Sequence, residues 1–243
     1  MIIKELNHNS LLKENSKLDL ENLNLGSFPT RKEERWRYTP LRALKKINFH
    51  NQLNFKIENL NSFEIPKIEG LVIVLENGKF NSDLSNLIDL KEIELSFDKE
   101  NVISKSSDET KHKDYFTNLN FSFLSEKVVL KIKANFNIDK PINFVNIISS
   151  DKCLSNTQFN IEVFENSKLH IRQYFLGSST SNNGFINHRN EVLLKSNSSL
   201  TIDKFQDLNN NFNFCNEFID QEKESEFIMN TFSASGIILR NDV

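Results

Sequence analysis

The second half of the sequence is a succession of short apolar segments separated by polar turns, and this pattern constrains the fold more than any other feature. From about residue 119 onward, Asn, Ser, Asp and Gly interrupt the apolar segments, as is typical of turns. No pattern of helical length lies between them, so we predict that this half is all-β. The predicted strands are 128–136, 142–148, 159–164, 169–176, 191–195, 200–205, 212–218, 226–232 and 237–239.

Two parts of this half resemble each other. Residues 161–171 recur as residues 192–202, and Leu169 corresponds to Leu200 at an offset of 31 residues. A strand–turn–strand unit that recurs at fixed spacing is typical of a solenoid, in which each coil stacks its apolar face on the next. An antiparallel β-sandwich or barrel also uses short strands, so the pattern alone leaves both folds open.

The first half of the sequence is mixed. Residues 70–80 predict a buried strand that meets a hairpin turn at Asn77 and Gly78. Residues 84–95 fit either a helix or a strand. The charged, Ser-rich residues 98–114 predict a loop or an exposed helix.

A short segment near the N-terminus contains the only tryptophan, Trp36. Thr30 and Glu33 have the spacing of a capping box at a helix start. The dipeptide Thr39-Pro40 repeats the start signal, and the apolar residues of 41–47 follow at helical spacing. We therefore predict two short helices with a break between them.

The same segment is strongly basic. Residues 31–46 carry seven basic and two acidic side chains, a net charge of +5, and four of the seven Arg of the chain. One interpretation is an arm that binds nucleic acid or an acidic partner. The other is a solvated helix in which Trp36 and Tyr38 pack inward and the arginine stems lie along them. We favour the second, because the rest of the chain offers no second basic element.

The composition argues against several classes of protein. The net charge of −3 produces no strong field that attracts nucleic acid or membranes, and no apolar run reaches the roughly 20 residues that span a bilayer. The N-terminus lacks the basic-then-apolar pattern of a signal peptide. The two cysteines are 62 residues apart, which fits a reducing compartment. We therefore expect a cytoplasmic protein that binds neither nucleic acid nor membrane.

The sequence contains no recognisable catalytic or metal-binding motif. Iron–sulfur ligation needs cysteines at short spacing, which Cys153 and Cys215 do not offer. No phosphate-binding loop is present, so any nucleotide must belong to a partner. Cys153 lies in a predicted exposed turn, and Cys215 lies in a strand, facing either the core or solvent. We interpret both thiols as packing residues; transient contact with sulfur or a cluster is the alternative.

Residues 29–40 read Pro-Thr-Arg-Lys-Glu-Glu-Arg-Trp-Arg-Tyr-Thr-Pro. This string resembles the N-terminal signature of the SufD members of the SufB/SufD family, which belongs to the SUF system of iron–sulfur cluster assembly. Further similarities follow in order at 74–80, 119–123, 139–142, 190–191, 205–207 and 236–242. The resemblance implies a mainly β protein. We expect a right-handed parallel β-helix of the SufBD core type in residues 119–243, preceded by a small α/β region in residues 1–118.

The resemblance also implies a function. We expect a scaffold subunit, not an enzyme, that works with a SufB-like scaffold and a SufC-like ATPase. The complex handles an iron–sulfur cluster and ATP through those partners, so this chain is expected to bind no cofactor. A structural or partner-binding motif is assigned to Arg31, Glu34, Trp36, Arg37 and Tyr38. Our hypothesis is that Arg31, Glu34, Trp36 and Tyr38 anchor the N-terminal helices to the β-helix.

Two further expectations concern the extent of the chain and the rival functions. The sequence stops directly after the predicted strand 237–239, whereas family members continue for several coils and a helical domain. We therefore expect a truncated chain that lacks most of the partner contacts. The alternative functions are a cytosolic β-solenoid interaction protein with no role in cluster assembly and, third, a carbohydrate-active β-helix enzyme.

Overall fold

The computed structural model describes residues 17–19, 25–50, 55–63, 65, 68–88, 91–98 and 114–243. These residues form two six-stranded sheets and one two-stranded antiparallel ribbon. The prediction for residues 98–114 lies almost wholly outside the described residues.

The fourteen described strands follow the prediction closely in the second half of the chain. They are β1 (Lys17–Asp19), β2 (Asn48–His50), β3 (Val72–Glu76), β4 (Lys79–Phe80), β5 (Ile93–Asp98), β6 (Glu126–Ile132), β7 (Ile142–Ile148), β8 (Leu154–Val163), β9 (Lys168–Gly177), β10 (Asn182–Leu194), β11 (Ser199–Asp207), β12 (Asn210–Gln221), β13 (Glu226–Ser235) and β14 (Ile238–Asp242). Among the described residues, the α-helices are α1 (Arg42–Lys45) and α2 (Tyr115–Ser122), and single 3-10 turns lie at Glu34–Trp36 and Leu60–Ser62.

From β6 to β14 the chain winds as a solenoid of about four coils. Successive strands alternate between sheet I, ordered β14-β12-β10-β8-β6-β5, and sheet II, ordered β13-β11-β9-β7-β3-β4. Strands of neighbouring coils are parallel, and Leu169 pairs with Leu200 as the sequence repeat predicts. The next coil is shorter, since Leu200 pairs with Phe227 at an offset of 27 residues. The parallel solenoid is confirmed, and the antiparallel sandwich or barrel is wrong; the right-handed winding stays a prediction.

The core between the two sheets consists of apolar stacks that run across the coils. Alternate residues of each strand point inward, so one inward position recurs on each neighbouring strand of the same sheet. The stacks are Leu130, Ile161, Val192 and Ile219 in sheet I and Ile142, Ile171, Ile202 and Met229 in sheet II. Each fully buried aliphatic side chain contributes about 1.5–3 kcal/mol through removal from water, which holds adjacent coils together.

Asparagines form a ladder at one corner of the solenoid. Asn135, Asn166 and Asn197 lie in the turns from sheet I to sheet II of three successive coils, each with a positive φ between 57° and 61°. Asn tolerates this conformation better than other residues with a side chain. The Asn166 amide donates to Asn135 Oδ1 over 3.0 Å, and the Asn197 amide donates to Asn166 Oδ1 over 3.3 Å. The polar turns of the sequence therefore also join the coils.

The predicted hairpin is confirmed. β3 and β4 are antiparallel, and Asn77 and Gly78 between them have φ values of 51° and 81°, as a type I′ turn requires. β3 also pairs with β7, so residues before 119 take part in a sheet of the solenoid. The domain division at residues 118 and 119 stays a prediction. Residues 84–95 fitted either a helix or a strand; of these, the described residues 84–88 and 91–95 contain turns and the start of β5.

Helix α2 corrects the prediction that the chain is all-β from residue 119. Asp114 caps the helix by accepting hydrogen bonds from the backbone N–H groups of Phe116 and Thr117 over 3.1 and 3.2 Å. The apolar residues of 119–123 alternate as in a strand. Phe116, Leu119 and Phe123 also repeat at helical spacing, and this helical face is the one that packs on sheet I.

Candidate functional site

Trp36 joins the N-terminal segment to the outer face of sheet I. Its indole is 3% exposed and lies 5.2 Å from the Phe116 ring of α2 and 6.0 Å from the Phe214 ring of β12, between ring centroids. The guanidinium of Arg240, on β14, lies 4.0 Å from the centre of the indole ring, in cation–π geometry. The segment therefore contacts strands that lie about 180 and 200 residues later in the sequence.

Arg240 holds the segment through hydrogen bonds as well. Its Nη1 donates to the backbone oxygen of Arg35 over 3.1 Å and to Thr39 Oγ1 over 2.9 Å. Asp242 orients the guanidinium through two bonds of 2.7 and 2.9 Å and also pairs with Arg35 over 3.3 Å. We call Trp36, Arg35, Thr39, Arg240 and Asp242 the Trp36 clamp. Charge-assisted bonds of this kind are stronger than neutral ones.

The helix starts differ in part from their prediction. Glu33 Oε1 accepts from the backbone N–H of Thr30 over 2.9 Å, which is one half of a capping box, and the turn at Glu34–Trp36 begins directly after Glu33. The prediction that Thr39 caps the second helix is wrong. Leu41 precedes α1 instead, and the Thr39 hydroxyl accepts from Arg240.

The other assigned residues of the motif lie on the surface. Arg31, Glu34 and Arg37 are exposed, and Tyr38 is 90% exposed. The prediction that Tyr38 packs inward with Trp36 is wrong. Since about three residues complete a 3-10 turn, a side chain two positions after the buried Trp36 points away from the solenoid. Trp36 is thus the buried residue of the motif, and its neighbours form an exposed rim.

A buried polar network fills the later coils of the solenoid. His188 on β10 contacts Thr157 Oγ1 through Nδ1 over 2.8 Å and Asn190 Oδ1 through Nε2 over 2.9 Å. Asn190 exchanges hydrogen bonds with Gln173 over 2.9 and 3.0 Å and donates to Glu217 over 2.7 Å. Burial lowers the pKa of His188 to about 4, so the imidazole is neutral at physiological pH.

An ion pair completes this network next to a thiol. Lys204 donates to the Glu217 carboxylate, and both side chains are fully buried. Burial opposes the charge on Lys204, but the Glu217 carboxylate beside it outweighs burial, and the pKa of Lys204 is raised. Burial raises the pKa of the Cys215 thiol to about 12. Because the thiolate is the reactive form of cysteine, Cys215 is a neutral, unreactive thiol in this environment.

Cys153 is also buried. It lies just before β8 and packs in one apolar cluster with Ile148, Phe175 and Ile186. The prediction that it lies in an exposed turn is wrong, because the turn residue Lys152 projects outward while Cys153 begins the inward-facing pattern of the coil. Cys215, for which the sequence left both directions open, faces the core.

Sequence reasoning missed most of the buried network. A signal was present, because Thr157, His188 and Cys215 occupy one inward position of successive coils. Gln173 and Lys204 likewise occupy adjacent positions in sheet II. Aligning the repeat would have shown polar residues at positions that are apolar elsewhere. Among the described residues no three His, Cys, Asp or Glu side chains are grouped to hold a metal ion, and no described helix is long and apolar enough to span a bilayer.

Comparison with known proteins finds similarity to a family model and to a curated protein. Residues 146–243 match the family model described as SUF system FeS cluster assembly, SufBD core domain. The chain is also similar to an iron–sulfur cluster assembly SufBD family protein of Synechocystis sp., with 24% identity over 225 residues that cover 84% of this chain. Both matches support a similarity of this chain to the SufB/SufD family. The chain spans about half the length of the Synechocystis protein, since the match covers 50% of it.

The candidate residues fall into two groups, those inside the range that matches the SufBD core domain and those outside it. The buried network, whose members lie between Thr157 and Glu217, and both thiols lie within residues 146–243. Arg31 to Tyr38 lie outside that range, and the Trp36 clamp joins them to it through Arg240 and Asp242.

Proposed function

We propose that this chain is a non-catalytic, SufD-like scaffold subunit in cytoplasmic iron–sulfur cluster assembly. It would act in a complex with a SufB-like scaffold and a SufC-like ATPase. The observation that carries the proposal is the stack of parallel coils over the same residues that match the SufBD core domain. A rigid solenoid offers long, regular surfaces for assembly with other subunits.

Two details favour a scaffold that leaves the chemistry to its partners. Cys215 is held as a neutral thiol by burial, and Cys153 is enclosed by apolar side chains, so neither is arranged to accept sulfur or ligate iron. The motif around Trp36 resembles SufD rather than the family in general, and Trp36 is built into the fold through the clamp. Iron, sulfur and ATP are therefore assigned to the partners as substrates of the complex.

Co-purification tests the proposal. The chain is expressed together with the SufB-like and SufC-like proteins encoded in the same genome, with an affinity tag on the SufB-like protein. We expect native mass spectrometry to show one complex that contains all three chains. We also expect that loss of this chain from its own cells lowers the activity of iron–sulfur enzymes.

Gly177→Val is the matched control for the fold. A Cβ at Gly177 would lie 2.2 Å from the backbone oxygen of Leu208 on the next coil, so the variant cannot stack its coils and should be absent from the complex. If the wild-type chain is found alone near 28.3 kDa and iron–sulfur enzymes keep their activity without it, the scaffold proposal is wrong. A complex with other proteins, without effect on those enzymes, would favour the solenoid interaction protein.

A further inference from the structure

The seven arginines of this chain fall into two groups, those with a side-chain partner in the described part of the fold and those without one. Four of the seven have partners within the fold: Arg35 and Arg240 pair with Asp242, Arg172 with Tyr174, and Arg189 with Glu191. The other three are Arg31, Arg37 and Arg42, all exposed and all within twelve residues of one another. None of these three makes a side-chain hydrogen bond or ion pair with any residue in the described part of the chain.

This division is informative because the chain uses lysine for its general surface charge. It contains seven Arg against 23 Lys. Arginine binds carboxylates through two parallel hydrogen bonds and is enriched in protein interfaces, whereas lysine is a strongly hydrated point charge. Three unpaired arginines in one short segment therefore indicate a partner outside the chain.

Tyr38 lies between Arg37 and Arg42 in the sequence and is 90% exposed. Tyrosine and arginine are the side chains most often found as binding hot spots, together with tryptophan. The segment is also held in place. Trp36 is buried directly before Arg37, and Arg240 binds Thr39 directly after Tyr38. A surface that is ordered before binding loses less conformational entropy when a partner docks.

The distribution of charge selects the kind of partner. Residues 31–46 carry +5 and the whole chain carries −3, so the remaining residues sum to −8. A long polyanion such as nucleic acid extends beyond the patch and is repelled by this excess of negative charge. A short acidic protein segment can match the patch alone. Side-chain carboxylates also fit the paired donors of arginine.

We propose that Arg31, Arg37, Tyr38 and Arg42 form a docking surface for a short acidic segment of a partner protein. We call these four residues the arginine–tyrosine surface. Trp36 is buried against sheet I, so it holds the surface in place and does not contact the partner. The proposal goes beyond the scaffold function and stands without it, because the partner is defined only by its carboxylates.

Binding of a defined acidic peptide tests the proposal. The probe is a fluorescein-labelled decaglutamate peptide, and its binding to the full chain is measured by fluorescence anisotropy at two salt concentrations. We expect saturable binding that weakens with salt. Arg31→Glu/Arg37→Glu/Arg42→Glu should lower the affinity at least tenfold, and Tyr38→Ala about fivefold.

The matched control reverses the same number of charges elsewhere. Lys140, Lys168 and Lys223 are exposed and distant in sequence from the arginine–tyrosine surface, and their triple replacement by Glu should change the affinity less than threefold. All replaced residues are exposed, so circular dichroism should show every variant folded.

Three outcomes would overturn the proposal. The decaglutamate peptide fails to bind the wild-type chain, the lysine control loses as much affinity as the arginine variant, or a single-stranded oligonucleotide of equal charge binds more tightly than the peptide. The last outcome would make the surface a nucleic-acid site. Failure of the complex with SufB-like and SufC-like proteins, with peptide binding intact, would affect only the scaffold proposal.

Discussion

Trp36 is the residue on which the contact between the N-terminal segment and the solenoid depends most. Its ring is buried between Phe116 and Phe214 and lies under the Arg240 guanidinium. Trp36→Ala removes these contacts and leaves a cavity that the surrounding side chains fill only in part. We expect it to lower the free energy of unfolding by about 3–5 kcal/mol, measured by urea denaturation.

Tyr38→Ala is the control for this prediction, because it removes an exposed aromatic ring from the same segment. It should change the free energy of unfolding by less than about 0.5 kcal/mol. If the two variants are equally stable, Trp36 does not anchor the segment.

His188 makes the stability of the protein depend on pH. Its pKa is about 4 in the folded state and 6.5 when unperturbed, because burial disfavours the imidazolium. The unfolded state therefore binds a proton that the folded state excludes, and stability falls as the pH drops from about 6.5 to about 4. The loss attributable to this residue is roughly 3 kcal/mol. Urea denaturation at several pH values measures it.

Two variants distinguish the effect of protonating the imidazole from the effect of losing one of its hydrogen bonds. His188→Gln should be less stable at pH 7 and should lose the part of the pH dependence that His188 supplies. Thr157→Val removes the contact to Nδ1 over 2.8 Å but keeps the imidazole, so it should keep the slope. An unchanged slope in His188→Gln would show that other groups cause the pH dependence.

At the scale of the elements, the turns between strands stabilise the solenoid. Asn166 has a positive φ of 57°, donates to Asn135 and accepts from Asn197. Asn166→Ala loses both hydrogen bonds and places a Cβ-bearing residue without a polar side chain in the left-handed conformation. We expect a loss of about 1–2 kcal/mol in the free energy of unfolding, measured with urea.

Asn166→Gly separates the two contributions, because glycine adopts positive φ without steric conflict. It should lose less stability than Asn166→Ala if backbone strain matters. Equal losses in the two variants would assign the whole effect to the side-chain ladder, and no loss in either would show that the ladder is dispensable.

At the scale of the whole molecule, the Trp36 clamp joins the two ends of the described chain. In a simple solenoid each coil contacts only its neighbours, and coils can unfold separately. Here Trp36 and Arg35 contact Arg240 and Asp242 on β14, across about 200 residues of sequence. We expect one cooperative transition, with Trp36 fluorescence and far-ultraviolet circular dichroism changing at the same urea concentration.

In Arg240→Ala, the fluorescence and circular dichroism transitions should occur at different urea concentrations. The variant loses the bonds to Arg35 and Thr39 and the contact with the indole, so the fluorescence transition should move to lower urea than the dichroism transition. Lys223→Ala, which removes an exposed cation on the turn after β12, should leave the transitions coincident. Coincident transitions in Arg240→Ala would mean that the clamp does not couple the N-terminal segment to the coils.

The β half of the fold could be predicted from local sequence patterns. Apolar residues that alternate along each strand, polar turns between strands, and the repeat that relates Leu169 to Leu200 encode stacked coils locally. The Asn77-Gly78 turn was predictable for the same reason, because its positive φ values suit few other residues. Helix α2 was missed because residues 119–123 carry both a strand period and a helical period.

Which side chains contact one another became visible only in the folded protein. The Trp36 clamp joins residues about 200 positions apart, and the ion pair joins Lys204 to Glu217 in the other sheet. The repeat places Lys204 at an inward position, but it does not show which side chain Lys204 contacts. The directions of Tyr38 and Cys153 also depended on packing, since an exposed turn and a buried one can have the same composition. Local spacing encodes strands and turns, whereas burial, and with it pKa and exposure, follows from how the coils stack.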